Sequence, residues 1–276
     1  MGTVVTLDVR PFGPRTDPSP AVRRAFDWLH RVDAIFSTYR WDSEISRLER
    51  GDLDLAGASA DVRSILARCE DLKARTGGYF DVRAVAGALD PSGLVKGWAA
   101  QQASAMLRAN GVDRHCLNAG GDVAVCGGTR QHPWRVGIVH PLHPDALTTV
   151  VEITDGAVAT SGTYERGHHI YDPHTNRPAT ALASVTIVGA DLALADAYAT
   201  AALAMGLAAP GWLAELAATE GYESYVIDAG GFAWWTPGFA GIAPGLPPAA
   251  GAATTGPPPT GREPPPERPW SAPPGR

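Results

Sequence analysis

The run from Asp191 to Met205 constrains the chain most, because it is almost wholly apolar and is stopped by Gly206, so it reads as a helix with hardly a polar face. Two residues break its character. Asp196 and Thr200 are four apart and therefore share one side of the helix. A carboxylate and a hydroxyl in such surroundings are costly unless they are paired. Two accounts stand from the helix alone. A hard cation such as Mg2+, which takes oxygen ligands, explains both side chains. A cap formed by Asp196, with Thr200 bonding back to a helix carbonyl, explains them too.

The rest of the chain alternates between helical and extended patterns. Thr3 to Arg10 predicts a first strand. Val22, Phe26, Leu29, Val32 and Phe36 recur at helical spacing from Ala21 to Phe36. A short helix opens at Asp42-Ser43-Glu44, and a third runs from Asp61 to Arg75, closed by Thr76-Gly77-Gly78. Gly78 to Gly97 has little period, and Trp98 to Asn110 is helical. Strands are predicted over 115–125, 135–139, 150–153 and 184–188. A helix over 212–220 and a closing hairpin around Asp228-Ala229-Gly230-Gly231 follow. Residues 1–243 therefore read as one folded domain. Residues 244–276 hold half of the 24 prolines, among Gly, Ala and Thr, and read as a disordered tail.

Composition excludes several classes. With 45% hydrophobic and 19% charged residues over 276 positions, the chain can bury a substantial core. Its net charge is -6 and it has no Lys/Arg-rich run, which argues against nucleic-acid binding. The three cysteines are odd in number and form no C-x-x-C pair, so neither a disulfide framework nor a structural zinc site is expected. The N-terminus shows no charged segment followed by an apolar one, and no membrane span is expected. The expected location is cytoplasmic.

Three further segments could carry chemistry. Asp90-Pro91-Ser92-Gly93-Leu94-Val95-Lys96-Gly97 is a small-residue turn before a helix expected to begin near Gly97. Such helix starts attract phosphates, and Lys96 adds a positive charge; an ordinary loop is the other reading. Leu117-Asn118-Ala119-Gly120-Gly121-Asp122 allows close backbone approach or simply a tight turn. Ala159-Thr160-Ser161-Gly162 precedes His168-His169-Ile170-Tyr171-Asp172-Pro173. There is no nucleophile elbow for a serine hydrolase, but either histidine can serve as a general base.

Taken in order, these segments resemble the flavin transferases of the thiamine-biosynthesis lipoprotein (ApbE) family, the FAD:protein FMN transferases. The matching segments begin at Met1-Gly2-Thr3 and continue through Phe36-Ser37-Thr38-Tyr39 with Ser43 to Leu48. They then take in Thr76 to Asp81, Asp90 to Gly97, Asn118 to Asp122, Thr160-Ser161-Gly162, His169 to Pro173 and Ala195 to Thr200. The resemblance implies an α+β fold of mixed β-sheets flanked by helices, with T-fold-like architecture. It implies FAD as substrate, bound against Met1, Tyr39, Tyr79, Phe80, Asp81, Asp90, Lys96 and Ile170. Mg2+ would be held by Asp196, Thr200 and the carbonyl of Gly93, with His169 as catalytic base. FMN would pass to a Thr or Ser hydroxyl of an acceptor protein carrying a Ser/Thr-Gly-Ala-Thr/Ser site, through a phosphoester, with AMP leaving. Hydrolysis of FAD to FMN and AMP, or FAD binding without turnover, are the alternatives the same site would allow. Two departures from the common family pattern stand out: Ser92 and Val95 replace Gly and Ala, and Asn176 takes the place of Gly.

Overall fold

The computed structural model describes residues 3–10, 17–84, 87–163 and 170–247. Met1 and His169 lie outside these, as do residues 248–276, most of the expected tail. Strand β1 (Val5–Val9) leads to helix α1 (Ser19–Phe36), the short α2 (Glu44–Arg50) and α3 (Ala60–Arg75). Ser43 and Ser59 cap α2 and α3, each accepting a backbone N–H three residues on. Helix α4 (Ser92–Ala109) precedes β2 (His115–Ala119), β3 (Asp122–Cys126), β4 (Trp134–His140), β5 (His143–Ile153) and β6 (Gly156–Gly162). The small strands β7 (Tyr171–Asp172) and β8 (Arg177–Pro178) lead into β9 (Leu182–Gly189) and α5 (Leu192–Met205). Helix α6 (Ala209–Glu220), β10 (Glu223–Asp228) and β11 (Ala233–Trp235) complete the order.

Seven strands form one sheet in the order β1-β2-β3-β6-β9-β10-β11. Every ladder among the described residues is antiparallel. The α+β class implied by the resemblance is what the structure shows. Strand alternation sorts side chains to two faces. Ala157 and Ala159 of β6, with Val185 and Ile187 of β9, face the helices. Val158 and Val188 face the β4–β5 hairpin, whose Trp134, Ile138, Val151 and Ile153 cover the other side. Leu246 packs partly against this second cluster, three residues beyond the expected domain end.

Helix α5 occupies the centre of the first core. Twelve of its fourteen residues are buried, most of them alanine. Small side chains on α5 and on the facing strands let helix and sheet approach closely. Over Leu192–Glu220 the chain is long and apolar enough to cross a membrane, yet 72% of its apolar window is buried inside the protein. Its apolarity is thus used by the core. Cys69, Cys116 and Cys126 are free. Burial pushes the Cys69 thiol up to about 12 and Cys116 to about 11, which leaves both poorly reactive near neutral pH.

Several elements differ from the sequence expectation, among them β5, which begins at His143 and not at 150, and the unexpected β7–β8 hairpin; three differences have a clear cause. Helix α4 starts at Ser92, not near Gly97, because Leu94 and Val95 are buried in the core and outweigh the low helix propensity of two glycines. The strand expected over 115–125 is a hairpin, turned at Gly120 and Gly121, which have φ of 61° and 95°. Strand β6 is composed of Gly, Ala, Val, Thr and Ser, too small to announce an alternating pattern.

His115, at the start of β2, is fully buried. Its Nδ1 lies 2.7 Å from the Val112 carbonyl, which can only accept, so Nδ1 carries the proton and Nε2 accepts from Ser104 Oγ at 2.8 Å. Burial holds the His115 pKa below its ordinary 6.5. The unfolded chain therefore binds the extra proton first. Stability is complete above about pH 6.5 and declines as pH falls below it toward the folded value. Melting temperatures measured from pH 7.5 to 5 are expected to fall on the acid side, with a shallower slope in His115→Gln. Equal slopes in the two proteins would refute the assignment.

Candidate active site

A cavity of about 220 Å3 opens between the helices and one end of the sheet. Its lining comes from six separate segments, and each is fixed locally. After α1, the loop Ser37-Thr38-Tyr39 is tied to the start of α2, since Ser43 Oγ donates to Ser37 O at 2.7 Å. Tyr39 is 89% exposed and lies at the rim. After α3, Gly77 and Gly78 turn the chain with φ of 60° and 87°, and the Phe80 N–H donates to the buried Thr76 Oγ1. This presents Tyr79, Phe80 and Asp81 to the cavity. Burial works to raise the Asp81 pKa, but Lys73 Nζ at 2.8 Å and the Arg83 N–H hold it below the ordinary value.

The third segment is the start of α4. Asp90 Oδ1 accepts the Ser92 N–H at 3.0 Å, and the Asp90 N–H donates to Val82 O. Glu49 of α2 braces this loop by accepting from the Leu89 N–H at 3.0 Å and from Arg83 at 3.2 Å. Gly93 then sits in the first turn beside α5. A Cβ placed on it would lie 3.5 Å from Thr200 Oγ1 and 3.2 Å from Phe80. Thr160, Ser161 and Gly162 of β6, with Ile170 and Tyr171, close the remaining walls.

Asp196 and Thr200 of α5 both line this cavity, one helical turn apart. Thr200 Oγ1 is 3.3 Å from Ser161 Oγ. Asp196 is 3% exposed; its Oδ2 accepts the Gly97 N–H at 3.1 Å and its Oδ1 lies 3.7 Å from Lys96 Nζ. Lys96 makes its closer ion pair with Asp122 Oδ2, at 2.6 Å. Asp122 is 1% exposed, and its Oδ1 accepts the Thr160 N–H at 3.1 Å. Burial drives the Asp196 carboxyl well above the carboxylate range; Lys96 opposes this and the neighbouring Asp122 reinforces it. Among the described residues two buried carboxyl groups thus face one ammonium, and with its raised pKa Asp196 holds a proton near neutral pH.

That proton tests whether a cation fits, because a metal ion would take its place on the Asp196 carboxyl. The Asp196 carboxyl and the Thr200 hydroxyl meet at one wall, both offering oxygen, and the absent side chain of the adjoining Gly93 keeps the space beside Thr200 open. An all-oxygen donor set suits Mg2+ over softer metals. Among the described residues no group of three or more His, Cys, Asp or Glu forms a separate metal cluster.

The structure therefore brings Tyr39, Tyr79, Phe80, Asp81, Asp90, Gly93, Lys96, Ile170, Asp196 and Thr200 to one cavity. Met1 and His169 fall outside the described residues, and Thr3 and Ile170 are their nearest described neighbours in sequence. Asp122 closes the Asn118–Asp122 segment of the sequence motif, which assigns it no role of its own. The signal was a carboxylate opening the strand Asp-Val-Ala-Val-Cys, where every other side chain is apolar. Behind the site, Tyr198 donates to Glu220 Oε2 at 2.9 Å and Arg75 pairs with Glu220 at 2.6 Å, fixing the rear of α5 to α3 and α6.

A profile of the ApbE family matches residues 1–87 and 82–226, and the chain belongs to that family. It is 39% identical over 126 residues to an FAD:protein FMN transferase of Rhodobacter capsulatus, an alignment covering 43% of this chain and 24% of that protein. It is 30% identical over 165 residues to an FAD:protein FMN transferase of Escherichia coli K12, covering 55% of this chain and 46% of the relative. The chain thus spans less than half the length of these curated relatives. Among solved structures, the ApbE protein of Thermotoga maritima superposes with a TM-score of 0.76 at 22% identity, over 87% of this chain and 96% of that one. The flavin transferase ApbE of Vibrio cholerae gives 0.74 at 22% identity, over 88% and 96%. These two show the shared fold.

Proposed function

We propose that the chain is a Mg2+-dependent FAD:protein FMN transferase. The observation that carries this reading is the pairing of Asp196 and Thr200 on a buried helix, facing Gly93 across a cavity open to a ligand. The names of the related proteins agree with it. FAD is the substrate, with Tyr39, Tyr79 and Phe80 available as flat faces for its rings. The oxygen of a Ser or Thr hydroxyl on the acceptor protein forms a bond to the FMN-side phosphorus. The bond from that phosphorus to the bridging oxygen breaks, and AMP leaves with the oxygen. The hydroxyl proton passes to a base, the role assigned to His169. Asp196, Thr200 and the Gly93 carbonyl would hold Mg2+, which supplies charge neutralisation on the pyrophosphate. Lys96 orients the two acids, since its ammonium lies nearer Asp122 than Asp196. The cytoplasmic setting belongs to the same proposal; three free thiols suit a reducing compartment.

The test combines the protein with FAD, MgCl2 and an acceptor domain bearing a Ser/Thr-Gly-Ala-Thr/Ser site. AMP release with FMN bound covalently to the acceptor, abolished by EDTA, is the expected result. AMP with free FMN and an unlabelled acceptor would move the reading to FAD hydrolysis. FAD binding with no AMP would overturn both.

A further inference from the structure

Two walls of the cavity come from segments about ninety positions apart: Tyr79 to Val82 after α3, and Ile170-Tyr171 at the start of the β7–β8 hairpin. One side chain at the tip of that hairpin crosses between them. His174 Nε2 lies 3.0 Å from the Gly77 carbonyl oxygen, which can only accept, so the imidazole donates. Its ring also meets Tyr79 edge-on, with centroids 4.6 Å apart and planes at 72°. A Cβ on Gly78 would stand 3.2 Å from His174 Cε1, so glycine at that position leaves room for the ring.

The hairpin tip is prepared to present this side chain. Asp172 Oδ1 accepts the His174 N–H at 2.9 Å, and Asp172 Oδ2 accepts Thr175 Oγ1 at 2.8 Å. The Asn176 N–H donates to Asp172 O at 2.8 Å. Asn176 adopts a φ of 53°, a left-handed conformation that asparagine tolerates better than most residues. The Ala179 N–H then closes the hairpin base on Ile170 O at 2.9 Å. Every one of these bonds is local to the hairpin except those of the His174 ring.

We infer that His174 is a positioning residue that latches the β7–β8 hairpin to the Gly77-Gly78 turn and so sets the spacing between the Tyr79-Phe80 wall and the Ile170-Tyr171 wall. The ring touches no reacting atom; it acts through Tyr79 and Ile170. For the substrate it positions, flavin dinucleotide, this rests on the function proposed above. The latch itself does not.

His174→Ala removes the donor and the ring, whereas His174→Gln restores an amide N–H donor on a flexible stem. Two readouts separate the claims. Amide hydrogen exchange over 77–82 and 170–179, measured without ligand, is expected to accelerate about three- to tenfold in His174→Ala, as for the loss of one net hydrogen bond, and to return toward wild type in His174→Gln. The KM for FAD is expected to rise by a similar factor in His174→Ala with kcat within about twofold, and to recover in His174→Gln. Unchanged exchange in His174→Ala would overturn the latch. Faster exchange with an unchanged KM would overturn the positioning role. A wild-type protein that transfers no FMN would sink the proposed function alone, because the exchange measurement still decides the latch.

Discussion

Asp196→Ala is expected to cut FMN transfer by roughly a thousandfold or more while leaving the protein at least as stable as the parent. The first effect follows from the proposed role of Asp196 as a charged metal ligand, an interaction that would supply several kcal/mol to the transition state, at tenfold per about 1.36 kcal/mol. The second follows from burial. Asp196 is buried at 3% exposure beside Asp122, and among the described residues Lys96 is the ammonium paired with both acids. Deleting the Asp196 carboxyl leaves the Lys96–Asp122 ion pair in place and removes a buried acid whose ionisation burial disfavours. AMP release at saturating FAD measures the first, and thermal melts with and without MgCl2 measure the second. Added Mg2+ is expected to raise the melting temperature of the parent and not of the variant. Activity within tenfold of the parent would defeat the ligand assignment, whatever the melts show.

Gly97→Ala is expected to destabilise the protein by about 1–3 kcal/mol, an overpacking cost that outweighs the better helix propensity of alanine. A Cβ there would meet the Leu192 carbonyl oxygen at 2.5 Å and Ala193 Cα and Asp196 Cβ at 3.0 Å. Two of those three are backbone atoms, which cannot swing aside, so α4 and α5 must separate. The Gly97 N–H is also the donor to Asp196 Oδ2, so separation turns that carboxylate away from its present aim. A melting temperature lowered by roughly 2–10 °C, with transfer activity falling further than stability explains, is the expected outcome. Gly211→Ala supplies the opposite sign. It lies in α6 with nothing within 4 Å of the added atom, and it is expected to stabilise by up to about 1 kcal/mol. A Gly97→Ala protein that melts with the parent would show that the two helices part freely.

Much of this arrangement can be read from the sequence, and the residues show where reading stops. The bounds of α5 are legible because Asp191 caps it and Gly206 ends it, with every residue between except Asp196 and Thr200 apolar. The start of α4 is hidden because Ser92, Gly93 and Gly97 are poor helix formers, and only tertiary burial of Leu94 and Val95 makes the first turn helical. The site acid Asp122 is hidden by the glycines before it, which draw attention to the turn. Lys96 illustrates a different limit. Its charge suggests a phosphate partner, while its position one turn into α4 places its ammonium on Asp122 at 2.6 Å. A sequence gives the charge of a side chain but not which of several partners lies closest. The His174 contact with Gly77 joins segments with no periodic relation, so no spacing rule reaches it.

The order in which the cavity walls occur along the chain has a consequence for synthesis. Its lining runs from Phe36 to Lys96 and then from Thr160 to Thr200, and the helix at the centre of the core is the last of these to be made. A nascent polypeptide that ends before α5 carries α1 to α4 but lacks the helix that bears Asp196 and Thr200. A product cut short there leaves uncovered the apolar face of α4 that α5 buries in the finished protein.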